Sequence, residues 1–145
     1  MTPMSAYTIS ATDARKEWST TIDTAVRKRP VFIQRTRDSL VLLSTETLKG
    51  LLDSVKLHVT VYQEEDGSFT CVQEELALAE NASDKDSCLQ ALLAAVRDYA
   101  KDFYEDFAFW AKAPNRFSHI PIIFKILSSS DEELMEGIVC RDGKN

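Results

Sequence analysis

The sequence predicts an α+β protein built from two small units, and three patterns carry that prediction. Apolar residues between Ala11 and Val26 recur every three or four positions, as on one face of a helix, and two strand-like runs follow directly. A second alternating run, Leu57 to Tyr62, is joined across Asp66-Gly67 to a partner run, Ser68 to Gln73. An apolar stripe with helical spacing then continues from Cys88 to Phe107.

In the first unit, expected over residues 1–55, Tyr7 to Ser10 reads as a short strand. Ser10 is placed to cap a helix, and Asp13 answers it three residues on, where a carboxylate also suits the positive end of the helix dipole. One helix is expected to run to about Arg27, with Ala11, Ala14, Trp18, Ile22, Ala25 and Val26 on its inward face. Pro30 ends it. Val31 to Arg35 and Leu40 to Leu43 are strand-like, with Thr36 to Ser39 as the turn between them. Ser44 or Thr45 then caps a second helix that turns Leu48, Leu51, Leu52 and Val55 inward.

The second unit is expected over residues 56–145. Leu57, Val59 and Val61 alternate with His58, Thr60 and Tyr62, the pattern of a half-buried strand. Asp-Gly is a strong hairpin signal, and Leu76 to Ala79 offers a third strand. A single helix from Lys85 to Trp110 follows, which at 1.5 Å per residue would be about 40 Å long. Pro114-Asn115 breaks it. A short apolar helix is expected next, capped by Ser118 with Pro121 in its first turn. Ser130-Asp131-Glu132-Glu133 reads as a capping box for a last helix carrying Leu134, Met135, Ile138 and Val139.

Charge separates the two halves. Residues 1–53 hold eight Lys/Arg against six Asp/Glu, while residues 54–145 hold nine against seventeen, so a slightly basic head precedes an acidic body in a chain of net charge −6. That asymmetry suits a head that meets phosphate and a body that meets a basic partner, or else an acidic half that is simply well solvated. The basic residues concentrate further: Arg15, Lys16, Arg27, Lys28, Arg29, Arg35 and Arg37 face only Asp13, Glu17 and Asp23 between residues 13 and 37. Arg15 and Lys16 fall in the first turn of the expected helix, where the dipole disfavours cations, which points to a use outside the helix. Arg27 to Arg29 sit at its favoured end and need no further use.

Other chemistries find little support. Cys71, Cys88 and Cys140 are widely spaced with no Cys-x-x-Cys, so neither a disulfide framework nor a zinc site is expected, and buried free thiols are the default. Met1 to Ala6 show no basic stretch followed by an apolar run, and the longest apolar runs, such as Ile120 to Phe124, are too short to span a bilayer. A cytoplasmic protein is expected, and the Asn81-Ala82-Ser83 sequon carries no meaning there. His58 and His119 have no Cys, Ser or acidic pair at catalytic spacing, and there is no Gly-rich phosphate loop. No enzyme activity, cofactor or metal is expected.

The order of strand, helix and hairpin, with Ser10-Ala11-Thr12-Asp13-Ala14-Arg15 opening the helix and Gln34-Arg35 ending the first hairpin strand, resembles the N-terminal domain of Phd/YefM-type antitoxins over residues 7–53. The resemblance implies a homodimer that binds its own operator DNA and holds a toxin with the rest of the chain. It also implies DNA-facing roles for Thr12, Arg15, Lys16, Arg35 and Arg37, and guanidinium groups are suited to bidentate bonds with phosphate or guanine. The chain departs from that family at the hairpin turn, where Arg37-Asp38-Ser39 replaces a Gly-rich segment and sets a carboxylate beside the proposed phosphate site.

Val59 to Phe69 and the helix after them resemble a HicB-like antitoxin domain in element order, an analogy of fold alone. Aromatic residues crowd the end of the long helix, and most are expected in the core. Phe109 and Trp110 are adjacent and cannot share one helix face, so one of them is expected to face outward. With Asp102, Glu105 and Asp106 nearby, Phe109 and Trp110 become candidate anchors for a basic toxin protein. The sequence therefore points to an antitoxin or antitoxin-derived autoregulator, with a protein-interaction module that keeps the dimer but not the DNA binding as the alternative.

Overall fold

The structure is a computed structural model and describes residues 7–144. Its helices and sheets form the α+β fold the sequence predicts. The chain divides into two compact units between Leu51 and Leu52.

The first unit runs β1 (Ile9–Ser10), α1 (Ala11–Lys16), α2 (Trp18–Arg27), β2 (Val31–Arg35), β3 (Asp38–Leu42) and α3 (Thr45–Leu51). Its sheet has the order β1-β2-β3, with β1 parallel and β3 antiparallel to β2. Ser10 caps α1 by accepting the Asp13 amide at 3.0 Å. The single helix expected to Arg27 is in fact two, because Glu17 leaves the helical region at φ −111°, ψ 45°. In an unbroken helix the Ala14 carbonyl would accept from the amide four residues on. Here the buried Thr21 hydroxyl lies 3.4 Å from it and also donates to the Glu17 carbonyl at 2.9 Å.

That break splits the expected apolar face. Ala14 and Ala25 pack on Val31 and Ile33, and Thr21 is buried as well, but Trp18 remains 50% exposed, and Ile22 and Val26 are also exposed. The hairpin turn is also shorter than expected. Only Thr36 and Arg37 lie outside the strands, Thr36 sits at φ 51°, and Asp38 and Ser39 belong to β3. Ser44 caps α3 by accepting the Thr47 amide at 3.1 Å. The helix stops at Leu51, which faces solvent rather than inward, and Val55 packs into the core of the second unit.

The second unit runs β4 (Leu57–Gln63), β5 (Phe69–Gln73), β6 (Leu78–Ala82), α4 (Lys85–Glu105), α5 (Phe107–Lys112), a 3-10 turn (Phe117–His119), α6 (Ile120–Ser128), α7 (Asp131–Gly137) and β7 (Ile138–Asp142). The sheet order is β6-β5-β4-β7. Gly67 takes φ 88° in the Asp66-Gly67 turn, a conformation open to glycine at no steric cost. Leu93, Val96, Ala100 and Phe103 of α4 pack against Ile122, Ile123 and Ile126 of α6 and Leu134 of α7. Val59, Val61, Cys71, Cys88 and Leu92 form a second cluster between α4 and the sheet. The Arg97 guanidinium ties α4 to the α6–α7 junction, donating to the Asp131 carboxylate at 2.9 Å and to the Ser129 carbonyl at 2.8 Å.

Four expectations are corrected here. The long helix breaks at Asp106 (φ −125°, ψ 48°), so α4 spans 21 residues and about 31 Å. Ser118 does not cap α6; it lies in the 3-10 turn, and His119 precedes the helix, whose first turn holds Pro121. The capping box of Ser130 and Glu133 does start α7, yet the helix ends at Gly137. Ile138 and Val139 instead begin β7, which pairs parallel to β4 with Leu57 opposite Ile138. Finally, Cys71 and Cys88 are buried but Cys140 is exposed on β7. The strand is held down beyond its end by Gly143, whose amide donates to the Val61 carbonyl at 2.7 Å and which sits so close to the Tyr62 ring that a Cβ would collide with it.

Candidate nucleic-acid interface

The break between α1 and α2 and the short hairpin together create an open groove of about 670 Å³ on the first unit. Its floor is apolar: Ala11, Ala14, Ile33 and the exposed side chains of Trp18 and Leu40. Its polar members are Arg15 from α1, Arg35 from the end of β2 and Asp38 from the start of β3. Arg35 and Asp38 are cross-strand partners, and their side chains form an ion pair at 2.9 Å. Arg35 thus stands where a phosphate oxygen could take the place of a carboxylate oxygen.

Five residues were expected to face DNA. Arg15 and Arg35 come together in the groove. Thr12 and Lys16, exposed on α1, and Arg37, exposed in the turn, do not line it. The dipole argument for Arg15 and Lys16 changes, because α1 is six residues long and both lie in its last turn, where cations are favoured. Other basic residues are engaged within the chain: Arg27 pairs with Asp23 at 2.8 Å, and the Arg29 guanidinium sits 5.1 Å above the Tyr7 ring.

Sequence reasoning missed Trp18 and Leu40 as exposed groove residues, having placed Trp18 on the inward face of the helix and read Leu40 only as the start of a strand. Leu40 stands opposite buried Ile33 on the inward face of the sheet, yet it stays open while Leu42 of the same strand packs against the Ala14–Ala25 cluster.

At the α4–α5 corner of the second unit, Phe109 is the outward aromatic. Trp110 is half-buried and stacks on Phe103 with ring centroids 6.3 Å apart. The Tyr99 hydroxyl meets His119 Nδ1 at 2.8 Å. Burial pushes the Tyr99 hydroxyl pKa up; burial and then the Arg116 charge hold the His119 imidazole below its usual value. Burial beside Cys88 pushes the Cys71 thiol up to about 12, far from a reactive thiolate. Among the described residues no group of His, Cys, Asp or Glu is arranged to hold a metal ion, and no helix is long and apolar enough to cross a membrane.

Three comparisons bear on identity. No curated protein matches the chain. A crystal structure of the antitoxin part of a proposed toxin/antitoxin system from Syntrophomonas wolfei subsp. wolfei is similar at 34% identity with a TM-score of 0.87, covering 94% of this chain and 99% of that one. The PHD-like family model, described as the antitoxin of RelE/RelB toxin–antitoxin systems, matches residues 4–140. That match spans both units, and the chain belongs to this PHD-like family of toxin–antitoxin antitoxins.

Proposed function

We propose that this antitoxin acts in the cytoplasm as a homodimeric repressor of its own operon, with a Phd/YefM-type first unit on operator DNA and a second unit that neutralises a basic toxin. The observation that carries this reading is the meeting of Arg15 and Arg35 in one groove, on the half of the chain with net positive charge. Lys16 and Arg37 flank that groove in sequence and extend its basic character, and Thr12 adds a hydroxyl beside Arg15 on α1. The dimer reading rests on Trp18, Ile22 and Val26, which repeat every four residues along one exposed face of α2. An apolar stripe of that kind on a small unit marks an interface. The toxin reading rests on Phe109 beside Trp110, exposed near Asp102, Glu105 and Asp106 on the acidic half. This is a binding function, and no step of it needs a cofactor.

A fluorescence-anisotropy titration with DNA from the gene's own upstream region tests the DNA reading. Affinity should fall steeply with salt, and Arg15→Ala or Arg35→Ala should each cost about 1–3 kcal/mol if the arginine reads a base. The second reading, a dimeric interaction module without DNA binding, is favoured by one observation: Asp38 already occupies Arg35. A sedimenting dimer with no salt-sensitive DNA binding would establish that reading instead.

A further inference from the structure

We propose that Asp38 is an internal competitor for Arg35, a carboxylate held where a DNA phosphate must bind, and that it sets the strength and the salt dependence of DNA binding. The inference rests on the DNA-binding reading above and deepens it. Its basis is the hairpin register. Arg35 and Asp38 form the last cross-strand pair of β2 and β3, closing a turn of two residues. Residues opposite each other in an antiparallel pair project from the same face with Cβ atoms about 5 Å apart. The backbone therefore fixes the carboxylate beside the guanidinium, and the ion pair at 2.9 Å follows.

Carboxylate and phosphate oxygens use the same donors of the guanidinium fork. Both side chains of the pair are mostly exposed, at 73% and 67%, so the pair is weak and water-screened and a stronger anion can displace it. Displacement leaves Asp38 in the groove with Arg15, facing the incoming phosphate with like charge. Each bound phosphate thus gains one arginine contact and meets one carboxylate repulsion. Removing the carboxylate should leave Arg35 free and the groove one unit more positive.

The molecule supplies its own control. Asp23 and Arg27 form an ion pair of similar length, 2.8 Å, and similar exposure on α2, and neither lines the groove. Asp23→Asn changes the net charge by the same unit as Asp38→Asn, away from the proposed site.

The experiment uses the full chain and a fluorescent duplex of the gene's own upstream sequence, with an unrelated duplex alongside. Asp38→Asn should bind about three- to tenfold more tightly than the wild type at low salt, since exposed pairs of this kind are worth up to roughly 1 kcal/mol and a like-charge repulsion is lost besides. Its plot of log affinity against log salt should steepen by up to about one unit, because in the wild type Asp38, once stripped of Arg35, takes up a cation and offsets one of the counterions released. Asp23→Asn should change affinity by less than about twofold. In the Arg35→Ala background, Asp38→Asn should gain clearly less, keeping only the part that comes from lost repulsion. Asp38→Ser repeats the test with a different side chain if the asparagine variant melts early. The inference is overturned if Asp38→Asn binds no better than a wild type that does bind, if Asp23→Asn gains as much, or if the gain is undiminished without Arg35. If no variant binds DNA in a salt-sensitive way, the DNA-binding reading fails, and this inference falls with it.

Discussion

Replacing Phe103 by alanine tests the architecture of the second unit most directly. Phe103 is 1% exposed and lies at the centre of an aromatic cluster, with ring centroids 6.3 Å from Tyr99, 5.8 Å from Phe107 and 6.3 Å from Trp110. Its truncation removes a buried ring and leaves a cavity walled by rigid neighbours that cannot collapse easily. Phe→Ala changes at such sites cost about 3–5 kcal/mol. Domains of this size are stable by only about 5–15 kcal/mol in total, and each kcal/mol moves the melting temperature by roughly 4–8 °C. Phe103→Ala should therefore lower the melting temperature of the unit by about 12 °C or more. Phe109 is the matched control: it lies six positions on, is also aromatic, and is 60% exposed. Phe109→Ala should change stability by less than about 0.5 kcal/mol. Calorimetry on the full chain measures both, and near-ultraviolet circular dichroism reports the loss of asymmetry around Trp110 in the Phe103 variant. Equal shifts for the two variants, or a loss of only a few degrees at Phe103, would refute the packing described here.

Three further outcomes follow from the same geometry. Ser130→Ala removes the hydroxyl half of the capping box that opens α7 and should cost about 1 kcal/mol by chemical denaturation, and Glu133→Ala should still add a cost of its own in that background, because the backbone amide of residue 130 that donates to the Glu133 carboxylate remains. His119 is held below its usual pKa by burial, so the folded state binds its proton less readily than the unfolded state; stability should be fully present above about pH 6.5 and decline as the pH falls from there toward the folded-state value, and His119→Gln should flatten that limb of a melting-against-pH curve. Ile22→Glu, on the exposed stripe of α2, should leave the first unit folded but convert the proposed dimer to monomer in sedimentation at micromolar concentration; a variant that stays dimeric would move the interface elsewhere.

Local chemistry was legible wherever a signal depends on near neighbours in sequence. Ser10 and Ser130 cap helices because their hydroxyls reach an amide three residues on, which requires no tertiary information. The Asp66-Gly67 turn and the strands beside it follow in the same way from the φ 88° that glycine adopts freely. The stripe Leu92, Leu93, Val96, Ala100 and Phe103 was apolar at helical spacing and is the core. Arg15 and Arg35 were identifiable as a pair only through family resemblance, since they are twenty residues apart and meet through the docking of α1 on the β2 sheet.

The sequence by itself determined which segments are helix or strand where period and caps agree, and where the basic and acidic charge would lie. Tertiary structure decided what those periodic patterns serve. Trp18, Ile22 and Val26 have the spacing of a core face, yet a break at Glu17, answered by a buried Thr21 hydroxyl, turns them to solvent. Ile138 and Val139 fit a helical stripe equally well, but an open edge of β4 offered them a ladder of backbone hydrogen bonds, and β-branched side chains are well suited to it. Asp38 read as a turn residue and became the strand partner of Arg35, because the register of the hairpin, set by buried Val31 and Ile33, left only two residues for the turn. In each case a local preference was shared by two outcomes, and the choice fell to long-range pairing and burial, whose energies no short stretch of sequence contains.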